Sequence, residues 1–201
     1  MSSKNQDVTS SEKHIELRTQ VVPAKREMLQ GELRDLFIYW NRLRDDAFAP
    51  AWDRFSWDHV PDELVRQAAV VEVRRSPLDF VYCYWGDGRK AMQGGDYHGM
   101  SVREFKPRQI AEKAIIEYTE VMAQRMALCV RTQLSQDADD DKLEYPFLRL
   151  PFSDDGAKVN HILGAGLYDK SAKKKAYDFY GTEDDDRIDL DYLLEQLDGD
   201  Q

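Results

Sequence analysis

Cysteine is scarce in this chain: two in 201 residues, Cys83 and Cys129, each inside an apolar run and without CxxC spacing. That excludes a disulfide framework and gives no zinc site, so buried free thiols are expected. Long hydrophobic runs are missing too. Nothing approaches the ~18 consecutive apolar residues of a spanning helix, and the polar N-terminus does not resemble a signal peptide. A cytoplasmic protein without a membrane partner is therefore expected.

Positive charge is the third deficit. The net charge is −10, and residues 182–201 hold nine acidic side chains against Arg187 alone. The remainder is close to neutral and shows no clustered Lys and Arg of the kind that neutralises a phosphate backbone. No nucleic-acid partner is expected on that ground.

Catalytic and metal signatures are lacking in the same way. The acidic loop at Asp137, Asp139, Asp140 and Asp141 has Lys142 where a calcium loop needs Gly and Leu148 where it needs Glu. The stretch GDGRKAMQGG is neither a phosphate-binding P-loop nor a dinucleotide fingerprint. His14, His59, His98 and His161 are scattered, none at the i, i+4 spacing of a helical metal pair. No nucleophile elbow or helical carboxylate pair stands out, so no catalytic residue and no metal is assigned.

What the chain has is aromatic and patterned. Four Trp, ten Tyr and eight Phe argue for a well-cored domain. Residues 1–25 are polar and without periodicity, a flexible tail by expectation. From Glu27, the positions Leu33, Leu36, Phe37 and Trp40 recur at helical spacing, with further apolar surface at Ile38 and Tyr39. A helix apolar over so wide an arc is expected to pack on its own domain and on a second copy, making those four residues the candidate dimer interface.

Further on, DFVYCYWG alternates between two apolar faces, Phe80, Tyr82 and Tyr84 against Val81, Cys83 and Trp85, as in a strand buried on both sides. A glycine-dense irregular segment follows. The spacing then predicts an amphipathic helix over 108–127, and three β-like runs come after it: ALCVRTQL, LEYPFLRLPF and KVNHILGAGLY. Sequential strands with short connections pair antiparallel, so the layout is α+β. Within SDDGA, the acids and Gly156 are expected to turn the chain rather than to do chemistry. Leu190, Leu193, Leu194 and Leu197 predict a short amphipathic helix in the charged extension 170–201.

Several strings occur in an order that resembles the PAS domain, and more closely a bacterial family of short stand-alone PAS proteins. They are Tyr39-Trp40 with Leu43-Arg44, Pro50, Trp57-Asp58 with Pro61, Gly95-Asp96 with Gly99, and above all Leu150-Pro151-Phe152-Ser153-Asp154-Asp155-Gly156 followed by Val159 and Ile162-Leu163-Gly164-Ala165. The resemblance spans about 33–169. It implies a five-stranded antiparallel sheet in order 2-1-5-4-3, helices on one face, and a helical cap at 26–46 before a PAS core at 47–169. It further implies a sensory or regulatory protein, a homodimer with a signalling partner, and a cleft between the long helix and the sheet able to hold a small molecule. Fold alone does not fix that function.

Candidate cleft residues are Tyr82, Tyr84, His98, Arg103, Tyr118, Met122 and His161. Neither haem nor flavin is expected, since the long helix offers no proximal His and neither Cys sits in a photoreceptor motif. Two alternatives stay open: a small-molecule enzyme using His98, Asp96 and Tyr118, and a ligand-free scaffold.

Overall fold

A computed structural model describes residues 16–106, 108–135 and 143–167. The acidic loop at 137–142 and the extension 170–201 lie outside the described residues, as do residues 1–15.

Strands β1 (Glu16–Pro23), β2 (Ala69–Arg74), β3 (Asp79–Trp85), β4 (Leu128–Ser135), β5 (Leu143–Phe152) and β6 (His161–Gly166) form one antiparallel sheet. Its order is β1-β4-β5-β6-β2-β3. Helices are α1 (Gly31–Arg44), α2 (Asp62–Gln67), α3 (Asp87–Gln93) and α4 (Arg108–Gln124).

The sheet corrects the five-strand expectation. Five of its strands, β3-β2-β6-β5-β4, follow the expected 2-1-5-4-3 order when counted from β2, and β1 adds a sixth beyond β4. Part of the supposed N-terminal tail is thus structured: ELRTQVVP pairs residue for residue with β4, from Glu16↔Ser135 to Pro23↔Leu128. A strand takes its stability from a partner's edge as much as from its own side chains, which is why this segment carries little periodic signal. The order of those five strands is the one that the resemblance to the PAS domain implies.

Helices on one face also needs correcting, because both faces of the sheet are covered. One core joins Val71, Phe80, Tyr82, Leu128 and Ile162 to α4 through Ala111, Ile115, Tyr118 and Val121. The other joins Val70, Cys129, Leu148, Leu150, Phe152 and Leu163 to α1 through Leu33, Leu36 and Trp40. Alternate residues of β5 and β6 face opposite ways, so a single strand serves both cores.

That second core removes the dimer face assigned to α1. Leu33, Leu36 and Trp40 are buried within their own chain, and Phe37 packs partly buried beside them. The Trp40 indole Nε1 donates to Pro151 O at 2.8 Å, fastening the helix to the end of β5. The flanking apolar surface is used as well: the Tyr39 hydroxyl accepts from Ser56 N at 2.9 Å, and its ring lies 5.6 Å from that of Phe55. No helix among the described residues is long and apolar enough to cross a membrane.

The link from β5 to β6 behaves as its sequence requires. Asp155 Oδ1 accepts from the backbone of Ala157 and Lys158, both at 2.8 Å, and Gly156 takes a φ of 67°. These contacts fold the loop locally. Asp154 Oδ1 accepts from Trp52 N at 3.0 Å, so this acid also ties the loop to the segment after α1.

Candidate functional site

Between α3, α4 and the sheet lies a cleft with a cavity of about 40 Å³. A buried water needs about 10–15 Å³ measured in this way, so the space suits a few waters or a very small molecule. Its walls are unusual for the inside of a domain. Aromatic rings of Tyr82, Trp85, Phe105, Tyr118 and Phe147 alternate with the polar side chains of Arg89, Gln93, Lys113 and Arg149.

Each polar group arrives there for a local reason. Arg149 interrupts the apolar run of β5 on the same face as Phe147, and both project over glycines of β6. Arg149 pairs with Gly164 and Phe147 with Gly166. A Cβ on Gly164 would stand 2.3 Å from Arg149 Nη1, and one on Gly166 would stand 2.3 Å from the Phe147 ring. The two glycines therefore make the room that the guanidinium and the ring occupy.

Trp85 enters the cleft through a bulge. Val70 pairs with Tyr84 and Val71 with Tyr82, which leaves Cys83 as the extra residue of β3. One inserted residue reverses the alternation beyond it. Trp85 consequently joins Tyr82 in the α4-side core, and Tyr84 turns to the α1 side. The expected even alternation along 80–85 is corrected on this point. Cys83 itself is exposed rather than buried, while partial desolvation pushes its thiol up to about 11.

Glu117 anchors the arrangement from behind. Its side chain is 1% exposed. One oxygen accepts from Arg149 Nε and Nη2 at 2.9 and 2.6 Å, and the other ion-pairs with Lys113 Nζ at 2.5 Å, one turn back along α4. Burial alone would raise the Glu117 carboxyl, but the Lys113 ammonium and the Arg149 guanidinium outweigh it and hold the group below its ordinary value. Burial pulls Lys113 below its ordinary value even with Glu117 beside it, and the neighbouring arginines add to the effect. Burial works against the charge on Arg149, yet Tyr118 and Glu117 prevail and raise it. Burial, with Tyr118 close by, pushes the Tyr82 phenol well above its usual range.

Arg89, on α3, is 6% exposed. Its guanidinium carbon lies 5.2 Å from the Trp85 ring and 5.1 Å from the Phe147 ring, and Nε donates to Gln67 O at 2.7 Å. Nη2 of Arg89 is buried without a partner, as are both polar atoms of the Gln93 amide. Gln93 is 8% exposed. Buried polar atoms left unpaired in this way cost roughly 1–3 kcal/mol each, so their concentration at one spot calls for an explanation.

Of the residues expected in the cleft, the structure brings Tyr82 and Tyr118 together there. It sends the others elsewhere. Tyr84 lies on the α1 side, its hydroxyl donating to Val65 O at 3.0 Å and its ring 4.5 Å from Trp57. His161 stacks on Trp52 at 5.2 Å near the β5–β6 loop. Arg103 donates through Nη2 to Leu78 O at 3.2 Å beside Asp79. Met122 sits toward the far end of α4, lining a separate depression with Arg75 and Lys158.

His98 is exposed, and its backbone N–H, not its imidazole, donates to Asp96 Oδ1 at 3.0 Å. Asp96 in turn pairs with Lys90 at 2.9 Å. Tyr118 is buried, its hydroxyl accepting from Arg149 Nη1 at 3.3 Å. The suggested catalytic set of His98, Asp96 and Tyr118 is therefore not assembled. Among the described residues no group of His, Cys, Asp and Glu is placed to hold a metal ion.

Three of the polar residues that sequence reasoning passed over did leave a signal. Arg149 is a charge on an apolar strand that serves two cores, and Lys113 with Glu117 is an i, i+4 ion pair within an otherwise amphipathic helix. Arg89 and Gln93, on a short helix between glycines, left none.

No protein-family model matches the chain, and no curated protein matches it. Solved structures do include similar chains. One of them is described as "Structure of an RNA-binding Light-Oxygen-Voltage Receptor", with a TM-score of 0.41 and 14% identity over 90% of this chain and 44% of that one. The chain thus spans less than half the length of that receptor, and a likeness this distant carries no argument about function. The exclusion of nucleic acid drawn above does not stand, because a net charge summed over a whole sequence does not decide what a local surface binds; one of these similar structures is itself described as RNA-binding.

Proposed function

We propose that the protein is a sensory or regulatory module of PAS-like build. It binds a small molecule in the cleft between α4 and the sheet, has no catalytic output of its own, and passes its liganded state to another protein. One observation carries this reading: Arg89 and Gln93, each with buried polar atoms left unpartnered, line the same cavity. A filled structural core has no use for such atoms, whereas a ligand that supplies their hydrogen bonds does. The ligand-free scaffold is disfavoured for the same reason.

Native mass spectrometry of gently purified protein, followed by a thermal-shift screen against a library of small metabolites, tests the proposal. A retained mass or a saturable rise in Tm is expected. Ala114→Met, which fills the cleft from α4, should abolish it. A folded protein that retains nothing and responds to no compound would refute the proposal.

A further inference from the structure

The cleft's chemistry is specific enough to narrow its ligand. Arg89, Lys113 and Arg149 line it, and no carboxylate does so among the described residues. Glu117, the acid bonded to this group, satisfies Arg149 and Lys113 from behind. Among the described residues Arg89 is paired with no acid, and its Nη2 meets no acceptor. Buried charge without a counterion is costly, so the cavity is built for a negative group.

Gln93 adds a second requirement. An amide has one donor end and one acceptor end. Both ends are unpartnered here, so exchanging the two in the amide's orientation changes nothing: the cleft offers one more donor and also one acceptor. The acceptor would be repelled by a bare anion and, on a ligand, is met by a hydroxyl or an N–H. The walls supply the remaining constraint, since Trp85, Phe105 and Ile110 are apolar and the free volume is small.

We infer that the cleft binds a short-chain hydroxycarboxylate. Its carboxylate lies against Arg89 and Lys113, its hydroxyl donates to the Gln93 amide, and its short aliphatic part rests on Trp85 and Phe105. The inference rests on the ligand-binding reading above and names the chemical class.

Calorimetric titration of the full chain at fixed ionic strength tests it with four probes: lactate, propionate (which lacks the hydroxyl), 1,2-propanediol (which lacks the carboxylate) and inorganic phosphate. Lactate should bind saturably, propionate about tenfold more weakly because a buried acceptor goes unmet, and propanediol and phosphate not measurably. Gln93→Leu keeps the bulk of a buried side chain whose amide makes no hydrogen bond, so the protein should stay folded while the preference for lactate over propionate disappears. Arg89→Lys should weaken both acids together.

Propanediol or phosphate binding as tightly as lactate would overturn the inference, and so would a lactate preference that survives Gln93→Leu. A cleft that ignores all four probes but takes a neutral library compound, sensitive to Ala114→Met, would overturn the hydroxycarboxylate and leave the ligand-binding reading intact. Silence toward every compound would remove both.

Discussion

At the scale of single residues, two glycines do work that only their lack of a side chain permits. Gly164 gives its space to the Arg149 guanidinium. In Gly164→Ala the new methyl group meets that guanidinium at 2.3 Å, and the guanidinium is already held by Glu117 and Tyr118. Overpacking of this kind costs about 1–3 kcal/mol. A lower urea midpoint with an unchanged m-value is expected, and an unchanged midpoint would show that Arg149 is free to move. The string Leu163-Gly164-Ala165 was readable as a strand from the sequence, but the purpose of its glycine was not. That purpose depends on Arg149, which lies fifteen residues earlier in the chain and comes opposite only when β5 and β6 pair in this register. Arg149 left a signal that was passed over, a charge in an apolar strand, and a sequence cannot say which of two buried faces it occupies.

Among elements, α1 and α4 were legible because helical periodicity is local, and both occur close to where the spacing of apolar residues puts them. What α1 packs against was not legible. A wide apolar arc is equally suited to a second copy or to a second face of the same sheet, and here Leu148, Leu150 and Phe152 supply that face. Leu36→Ala should therefore cost about 2–5 kcal/mol in unfolding free energy, as a core truncation does, and leave the molar mass by light scattering unchanged. A shift in mass without a loss of stability would return the helix to an interface role. Strand β1 escaped notice for a related reason. Its evidence lies in the edge of β4, more than a hundred residues later, rather than in its own composition.

For the molecule as a whole, acid is the expected weakness, and it should act in two steps. Burial holds the His161 imidazole below its ordinary value of 6.5. The folded state therefore prefers it neutral, and that contribution to stability, complete above pH 6.5, is lost as pH falls through the lowered value. Glu117 is held below its ordinary 4.5, so its contribution is complete above that pH and is lost further down. Urea midpoints measured from pH 8 to 3 should be level at first, dip slightly below 6.5 and fall steeply below 4.5. His161→Gln should erase the first dip alone, and a single steep fall in the wild type would contradict the order. The two groups stand on different sides of one partition. Along β5, Phe147 and Arg149 face the polar cleft, while Leu148 and Leu150 face the dry packing under Trp40. That partition is one peptide backbone thick, and a rigid strand cannot turn on one side only. A twist of β5 that repositions Arg149 also turns its neighbours against α1, which couples the cleft to the hydrophobic packing behind the sheet.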